Sequence, residues 1–168
     1  MPNSQIETTL QIKAFVEGIS LPVTKESLIE IRNRMYSVLE IKPCDDEASS
    51  EHEKSIRWKR TAGQILEDGY VYEGIACTDQ VVLFIALCHA LRLETRFVKI
   101  KKTGMVHSVS EIKLDDGWYI FDVSNINNIP IKGEITAETP YRDWQLWKKG
   151  RDAWDLGLTE FDTIKKIQ

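Results

Sequence analysis

One stretch of the sequence, VVLFIALCHAL from Val81 to Leu91, is apolar on nearly every side of a helix. A helix with this pattern has to be buried, because a surface helix keeps polar residues on one face. Its unbroken apolar run, Val81 to Cys88, is far shorter than the roughly 20 residues that cross a bilayer. The stretch therefore predicts a helix at the centre of a hydrophobic core, with the rest of the chain packed around it.

Segments rich in β-branched and aromatic residues follow this helix: TRFVKIK, VHSVSEIKL and WYIFDV. Such segments favour β-strands, and Asp115-Asp116-Gly117 is a turn signal between the second and the third. Helical patterns come before the strands, so the order along the chain favours an α+β fold. We expect the buried helix to pack on an antiparallel sheet.

An amphipathic helix is predicted earlier in the chain, over TKESLIEIRNRMYSVLEI. Thr24 can act as its N-cap. The spacing of the apolar residues puts them on one face of the helix, which predicts that this face is buried. These residues are Leu28, Ile31, Met35 and Leu39.

Two further features are predicted between that helix and the buried one. KPCDDEASSEHEKS, from Lys42 to Ser55, is polar, acidic and without period, which predicts an exposed loop. A second helix is then expected from about Ile56 to Leu66, and Gly69 would end it.

The C-terminal part of the sequence carries Trp144, Trp147 and Trp154 in a pattern typical of helix and loop. Trp144 and Trp147 are three positions apart, which would put them on one helical face. We expect the indoles to pack this tail against the sheet. A protein-interaction surface formed by the same side chains is the alternative.

The 168 residues suit one domain, with an N-terminal helical region and polar loop (1–55), a core (56–125) and a C-terminal extension (126–168). The net charge of −4 gives no electrostatic reason to bind nucleic acid or an anionic membrane. Three cysteines without a Cys-x-x-Cys pattern disfavour a disulfide scaffold and a zinc site. MPNSQIETT lacks the basic and apolar regions of a secretory signal. We therefore expect a cytoplasmic protein without a bound metal.

Geometry disfavours the most conspicuous pairing in the sequence, that of the adjacent Cys88 and His89. Neighbours on a helix point about 100° apart, so these two side chains do not face each other. Cys77 and Cys88 lie roughly 16 Å apart if they share one helix, too far for a disulfide or a shared metal. Cys88 is expected to be a buried apolar residue. Cys44 stands beside two aspartates, whose charges raise the pKa of a thiol.

Cys77 differs from the other cysteines because it follows a glycine-containing loop and opens the buried helix. Free N–H groups and the positive dipole end at a helix start lower the pKa of a thiol. The same N–H groups can bind the oxyanion of an attacked carbonyl. Asp79 opposes thiolate formation through its charge. Position alone leaves both a catalytic and a structural role open for Cys77.

A reactive thiol also needs a base. His52 lies in the acidic segment and His89 is too far from Cys77, which leaves His107 at the start of a predicted strand. The next strand ends in Asp122. The order of these three residues, thiol, imidazole and carboxylate, is the order expected for a cysteine-based triad.

The register of the predicted hairpin decides whether His107 and Asp122 can meet. A tight turn at Asp116-Gly117 would leave them about 13 Å apart along the strand, whereas a four-residue connection would place them opposite each other. We therefore predict a looser loop or a bulge, against the Asp-Gly turn signal.

The sequence resembles the transglutaminase-like superfamily, which shares the papain-like cysteine-hydrolase core. Three segments carry the resemblance in order: KRTAGQILEDGYVYEGIACTDQVVLFIALCHALRLETRFVKI, HSVSEIKLDDGWYIFDVS and GRDAWDLGL. The resemblance implies a papain-like core with the nucleophile at the N-terminus of the buried helix. It also implies that Cys77 is the nucleophile, His107 the general base and acid, and Asp122 the residue that orients the imidazole.

The implied activity is that of a cysteine-dependent hydrolase or acyltransferase, which acts on protein or peptide amides through a thioester without a metal or organic cofactor. A catalytically inactive binding module with the same fold is the alternative. Two departures favour it. Ala76 stands directly before the cysteine, where members of the family commonly have glycine. The second oxyanion donor has no clear counterpart, and the candidates by chemistry are Trp58, Gln64 and Tyr72.

Overall fold

Helices dominate the first half of the chain. The structure, a computed structural model, describes residues 2–167. Within that range lie α1 (Leu10–Phe15), α2 (Lys25–Val38), α3 (Glu47–Ile56), α4 (Ala62–Asp68) and α5 (Cys77–Ala90). Two 3₁₀ helices, Trp154–Leu156 and Phe161–Lys166, come later in the described chain. None of the helices in this range has the length and apolarity needed to cross a membrane.

The strands form two sheets. β1 (Glu40–Lys42) and β2 (Tyr70–Tyr72) pair in parallel. The larger sheet is antiparallel and has the order β6-β5-β4-β3-β7. Its strands are β3 (Thr95–Lys102), β4 (Met105–Leu114), β5 (Gly117–Phe121), β6 (Ile131–Lys132) and β7 (Gln145–Gly150). Helices therefore precede an antiparallel sheet, and the predicted α+β fold is confirmed.

Helix α5 lies at the centre of the hydrophobic core. Every side chain from Val81 to Cys88 is 0% exposed. The helix packs on β3 and β4 and also contacts α1, α2 and α4. Phe84 meets Phe121 edge to face, with ring centroids 5.4 Å apart. The sequence is apolar all round because protein surrounds it on all sides, and the predicted buried helix is confirmed.

Both faces of the antiparallel sheet are covered. Phe97 belongs to the main core with α5, whereas the next residue, Val98, belongs to a smaller cluster on the opposite face. Val109 on β4 and Tyr141 before β7 complete that smaller cluster together with other apolar residues. Polar side chains in the middle of the central strands, such as Ser108, Ser110 and Glu111, are therefore buried and need hydrogen-bonding partners.

Helix α2 forms as the sequence predicts. The Thr24 side chain accepts a hydrogen bond from the Ser27 backbone N–H, and the Ser27 side chain accepts one from the Thr24 N–H. This reciprocal capping box satisfies two backbone donors at the helix start. The predicted apolar face is buried and comprises Leu28, Ile31, Met35 and Leu39.

The predicted exposed loop over Lys42–Ser55 is wrong, because most of this segment is helical. The Asp46 side chain accepts a hydrogen bond from the Ser49 N–H, and the Ser49 hydroxyl accepts one from the Asp46 N–H, so a capping box starts α3. The segment is polar because most of the helix is exposed, and Glu53 is the residue of α3 that is buried. A helix with so little buried surface shows no apolar period in its sequence.

Helix α4 begins later than predicted and ends where predicted. Thr61 caps it by accepting a hydrogen bond from the Gln64 N–H, while Ile56, the predicted start, is the last residue of α3. Gly69 is the C-cap with φ of +72°, in the left-handed region that glycine adopts without strain.

The tail contains a strand that the sequence analysis missed. β7 pairs with β3 at the edge of the sheet. Trp144 precedes this strand and Trp147 lies within it, so the expected common helical face is wrong. Trp147 packs against the main core and Trp144 against the smaller cluster. For these two residues, packing of the tail against the sheet is confirmed.

The β4–β5 hairpin has a tight turn, so the predicted looser loop or bulge is wrong. Leu114 pairs with Gly117, which leaves Asp115 and Asp116 as the turn. Gly117 has φ of +130°, a value that side-chain-bearing residues rarely adopt. Because this turn lies one position earlier than the Asp-Gly turn considered from the sequence, the register differs from both predicted alternatives.

Candidate active site

Cys77 is the first residue of α5, as its position after the glycine-containing loop predicts. Gly74, with φ of +78°, turns the chain from β2 toward the helix. The N-cap residue is Ala76, which has no side-chain acceptor for the N–H groups of the first turn. Cys77 is partly exposed as a residue and lies at the positive end of the helix.

Ala76 is compatible with this geometry. Its φ of −74° and ψ of −13° are ordinary right-handed values, so the backbone does not require glycine at this position. Ala76 also lines the cavity that contains Cys77. The departure from glycine therefore changes the wall of the cavity and not the path of the backbone.

His107 and Asp122 are hydrogen-bonded to each other. His107 Nε2 lies 2.8 Å from Asp122 Oδ2. The other carboxylate oxygen, Oδ1, accepts hydrogen bonds from the Ser124 backbone N–H at 3.1 Å and from the Ser124 hydroxyl at 2.6 Å. Because Nε2 is engaged by the carboxylate, Nδ1 is the ring nitrogen that remains for a second partner.

The observed register explains how a tight hairpin brings these side chains together. The last residue pair of β4 and β5 is Ser110 with Phe121. Asp122 follows that pair directly and so lies on the side of Val109, two positions from His107. Residues two apart on a strand share a face and are about 7 Å apart along it, a diagonal that the two side chains span. The longer separation that would exclude their contact is not found.

Cys77 and His107 line one cavity of about 420 Å³. The Trp144 ring lies over the imidazole, with ring centroids 5.5 Å apart and planes tilted by 37°. Ile41 and Met105, at 47% and 55% exposed, border the opening, so solvent reaches the cavity. The remaining lining side chains are Glu73, Ala76, Gln80, Val106 and Ser124.

The pKa of the Cys77 thiol is lowered to about 6. Burial of the sulfur acts in the opposite direction and raises the pKa. A hydrogen bond with the His107 side chain, the positive charges of Lys99 and His107, and the Ser108 backbone N–H outweigh that effect. Neutral pH therefore favours a thiolate at Cys77.

The pKa of the His107 imidazole is raised to about 9. Burial lowers it, but hydrogen bonds with Asp122 and Cys77 and the charges of these two residues raise it by more. Burial likewise raises the pKa of the Asp122 carboxyl, yet the hydrogen bonds and charge of His107 and Ser124 hold it below its usual value. Between about pH 6 and about pH 9, the site therefore holds a thiolate beside an imidazolium.

The other cysteines lie apart from this cavity. Cys88 is 0% exposed, and burial raises the pKa of its thiol far above the ordinary value. Cys44 is partly exposed and precedes α3. Among residues 2–167, no three His, Cys, Asp or Glu side chains are grouped as a metal site requires.

The other two histidines are also outside the cavity. His89 is exposed in the last turn of α5, as its sequence position predicts. His52 lies on α3, where its Nδ1 is 2.6 Å from the Tyr72 hydroxyl. Neither of them lines the cavity with Cys77.

The three residues considered as second oxyanion donors do not line the cavity either. Trp58 donates its indole N–H to Thr78 Oγ1 at 3.2 Å. The Tyr72 hydroxyl is bonded to His52, and the Gln64 amide oxygen accepts from the Thr61 N–H at the start of α4. Their polar groups therefore have structural partners in this fold.

Gln80 is an amide side chain in the cavity that the sequence analysis missed. It is 4% exposed, and its Nε2 lies 3.4 Å from the Tyr36 hydroxyl. Cys77 and Gln80 are three positions apart on α5, so they lie on the same side of the helix. The three-residue spacing between Cys77 and Gln80 was the available signal, but Gln80 is directly followed by the apolar run of the helix and was therefore overlooked.

Lys99 is a second residue that the sequence analysis missed. It is 2% exposed, although lysine is seldom buried. Lys99 lies on β3 opposite Ser108. The alternation of TRFVKIK puts Lys99 on the same face as the core residue Phe97, and that period was the available signal.

The family follows from a comparison with protein-family models. The model described as the transglutaminase-like superfamily matches residues 22–123, more than half of the chain. The chain belongs to the transglutaminase-like superfamily. The matched range contains Cys77 and His107 and ends one residue after Asp122. The resemblance stated from the sequence is thereby confirmed.

A solved structure from Cytophaga hutchinsonii, named a "putative cysteine protease", is similar in fold to this chain. The TM-score is 0.59 at 16% sequence identity, and the alignment covers 92% of this chain and 48% of that one. This chain thus spans about half the length of that protein. At such an identity the likeness shows the fold, with α5 packed on the five-stranded antiparallel sheet. A comparison with curated protein sequences finds no match.

Proposed function

We propose that this transglutaminase-like chain is a cysteine-dependent amide hydrolase. Cys77 is its nucleophile, His107 its general acid and base, and Asp122 the residue that orients the imidazole. One observation carries the proposal: His107 Nε2 bonds Asp122 at 2.8 Å while His107 and Cys77 line the same cavity. The lowered pKa of the thiol and the raised pKa of the imidazole support it, because they give the charged pair that such chemistry needs.

The first half of the reaction forms a thioester. The Cys77 thiolate attacks the carbonyl carbon of an amide, a C–S bond forms, and the carbonyl oxygen becomes an oxyanion. The Cys77 backbone N–H and the Gln80 side-chain amide donate hydrogen bonds to that oxygen. As the C–N bond breaks, His107 gives its Nδ1 proton to the leaving amine.

The second half releases the acyl group. The neutral His107 takes a proton from water while the water oxygen attacks the thioester carbon. The C–S bond breaks, the acid leaves, and the thiolate–imidazolium pair is restored. Asp122 keeps Nε2 protonated throughout, which fixes the tautomer. An amine that replaces water at this step gives a new amide, so transamidation uses the same thioester.

Protein or peptide amides are the substrate class that suits the cavity. Its opening is bordered by the exposed apolar side chains of Ile41 and Met105. Exposed apolar residues around an open cavity favour the binding of a partner with apolar side chains. We therefore expect the scissile amide to lie next to apolar residues of the substrate.

Selective alkylation tests whether Cys77 is activated. A thiol of pKa about 6 is half ionised at pH 6. At the same pH, less than about 1% of an unperturbed thiol of pKa about 8.5 is ionised. After allowance for the weaker nucleophilicity of an acidic thiolate, we expect iodoacetamide to modify Cys77 about tenfold faster than Cys44 at pH 6. Peptide mapping by mass spectrometry measures both rates in one sample. Equal rates at pH 6 contradict an activated thiol.

Acyl transfer is tested with p-nitrophenyl acetate. We expect an acetyl adduct on Cys77 in intact-protein mass spectra, with turnover that Cys77→Ala abolishes and Cys44→Ser retains. Incubation with a peptide mixture in the presence and absence of methylamine then separates hydrolysis from transamidation, because only the latter incorporates the amine. If Cys77 is not acylated and Cys77→Ala leaves turnover intact, the fold serves as a binding module.

A further inference from the structure

Lys99 is a buried ammonium group that has hydroxyl partners and forms no ion pair with a carboxylate among residues 2–167. Its Nζ donates to Ser108 Oγ at 2.9 Å and contacts Thr78 Oγ1 at 3.4 Å. The residue is 2% exposed. A buried charge without a counter-ion is strongly unfavourable, and burial lowers the pKa of Lys99, while the charge of Cys77 acts against that effect. An ammonium in this place therefore needs an anion nearby.

The two hydroxyls connect Lys99 to the two reactive residues. Thr78 directly follows Cys77, and Ser108 directly follows His107. Thr78 Oγ1 and Ser108 Oγ lie 2.9 Å apart, so the three polar groups form one closed cluster. This cluster joins the start of α5 to β4, beside Cys77 and His107, which line the same cavity.

The sheet register places the ammonium on the side of the sulfur. Lys99 pairs with Ser108 across β3 and β4, and the contact with Thr78 shows that both face α5. Hydrogen bonding from the Ser108 backbone N–H is one of the causes that lower the pKa of the Cys77 thiol. The positive charge of Lys99 and the negative charge of the thiolate therefore act on each other at one end of α5.

We propose that Lys99 is a positioning residue whose buried ammonium is a second counter-charge for the Cys77 thiolate, beside the imidazolium of His107. The inference rests on the proposed function, because it requires Cys77 to act as a thiolate. His107 gives up its proton in each cycle, whereas Lys99 keeps its own. When the thioester breaks down, Lys99 is therefore a constant positive charge that favours departure of the thiolate.

The pH dependence of Cys77 alkylation by iodoacetamide tests this role. Replacement by methionine (Lys99→Met) keeps the bulk of the side chain and removes its charge. We expect the midpoint of the alkylation profile to rise by about one pH unit or more, which slows alkylation at pH 5 roughly tenfold. Lys101→Met, on the same strand and two positions away, removes the same charge at a partly exposed site and leaves the midpoint unchanged.

Other charged groups face this end of α5 from the surrounding elements, and all of them are retained in Lys99→Met. Those next to the thiol act on its titration in the wild type and in the variant alike, so a difference between the two profiles reports on Lys99. The groups are His107 on β4, Asp122 after β5, Glu73 at the cavity, Asp79 with its partner Arg60, and Arg57.

The outcomes separate this inference from the proposed function. An unchanged midpoint in folded Lys99→Met, with a wild-type midpoint near pH 6, overturns the role of Lys99 and leaves the thiolate chemistry in place. A wild-type protein whose Cys77 does not ionise below about pH 8 overturns the proposed function instead. Circular dichroism establishes that the compared proteins are folded.

A reciprocal measurement decides the question if Lys99→Met does not fold. Coupling between two titrating groups is mutual, so removal of the thiolate must lower the pKa of Lys99 by the amount that Lys99 lowers the pKa of Cys77. Side-chain NMR of the Lys99 ammonium in the wild type and in Cys77→Ala measures this shift. Identical Lys99 titrations in the two proteins overturn the proposal.

Discussion

Cys77 and Cys88 lie on the same helix but have opposite acidities. Burial acts alone on Cys88 and raises the pKa of its thiol. Burial acts on Cys77 as well, yet His107, Lys99 and the Ser108 N–H lower that pKa to about 6. The difference comes from groups that β3 and β4 bring to one end of the helix. Position in the helix is therefore a weaker determinant of thiol chemistry than the residues that the sheet brings next to it.

The Asp122 carboxylate sets the upper end of the pH range in which the thiolate–imidazolium pair exists. Asp122→Asn removes a hydrogen bond and a negative charge that raise the pKa of His107, so we expect that pKa to fall from about 9 by about one unit or more. A lower pKa means that the imidazolium loses its proton at a lower pH. Amide turnover, which needs this proton for the leaving amine, then falls off earlier on the alkaline side.

NMR titration of the His107 imidazole nitrogens measures this shift without a substrate. Asp115→Asn is the matched control, because Asp115 is an exposed carboxylate in the turn of the same hairpin. We expect the control to titrate as the wild type does. A His107 titration that is the same in Asp122→Asn and in the wild type excludes the orienting role of this carboxylate.

At the scale of the elements, β4 organises the candidate site. It pairs with β5 only from Ser110 onward, so its first residues extend past the end of that neighbour. The Ser108 N–H in this extension lowers the pKa of the Cys77 thiol, and His107 beside it is hydrogen-bonded to Asp122. This extension of β4 thus carries the proposed base and a backbone group that favours the thiolate at the first turn of α5.

The elements that the sequence predicts correctly are those with a strong period. The helix over Val81–Cys88 is apolar all round, and the strands beside it alternate or are rich in β-branched residues. Helix α3 has no such pattern, because Glu53 is the residue that it buries, and its signal is limited to the Asp46–Ser49 cap. β7 was missed since its pairing with β3 is a long-range contact that local sequence does not encode.

The candidate site likewise has residues that the sequence pattern predicts and residues that it does not. The order of Cys77, His107 and Asp122 was visible in the sequence because each lies at the end of a predictable element. The turn between the last two was misplaced, since a one-position difference at Gly117 changes the register of the whole hairpin. Gln80 and Lys99 stayed hidden because their environment depends on how α5 is placed on the sheet.

Helix α5 carries Gln80 on the same side as Cys77, which leads to a prediction about the oxyanion. Gln80→Leu removes the side-chain donor, and we expect the rate of p-nitrophenyl acetate hydrolysis at saturation to fall about 100-fold with little change in KM. Iodoacetamide alkylation of Cys77 forms no oxyanion, so its rate should be retained in the same variant.

Tyr36→Phe provides the matched control for Gln80. It removes the hydroxyl next to the Gln80 amide and leaves the amide itself in the cavity. We expect a much smaller loss of hydrolysis than in Gln80→Leu. Equal losses in the two variants indicate that the pair is structural, and an unchanged rate in Gln80→Leu shows that the amide is not an oxyanion donor.

At the scale of the whole molecule, residues from both ends of the described chain meet at Trp58. Gln5 Nε2 donates to the Trp58 carbonyl at 3.1 Å, and Gln5 Oε1 accepts from the Ala153 N–H at 3.1 Å. The Trp154 indole donates to the same carbonyl. Trp58 in turn donates its indole N–H to Thr78, the neighbour of Cys77. Trp58 therefore connects the N-terminal segment and residues 153–154 of the tail to the start of α5.

Asp152 holds these two segments together, so its removal is expected to destabilise the fold. It is 0% exposed, and its Oδ2 accepts from the Ser4 hydroxyl at 2.6 Å and from the Gln5 N–H at 2.9 Å. Its Oδ1 accepts from the Asp155 N–H at 2.9 Å. Asp152→Ala leaves these donors without their acceptor, which should lower the free energy of unfolding by about 2–4 kcal/mol. Urea unfolding followed by circular dichroism measures the change.

An exposed aspartate of the tail serves as the control for Asp152. Asp162→Ala should change the free energy of unfolding by less than about 0.5 kcal/mol, because exposed ion pairs contribute little. Asp152 does not line the cavity, so folded Asp152→Ala should alkylate Cys77 at pH 6 within about twofold of the wild-type rate. Equal stability of the two variants contradicts the role of Asp152 in joining the segments. Slower alkylation in the folded Asp152→Ala protein shows instead that the tail acts on the thiol through Trp58.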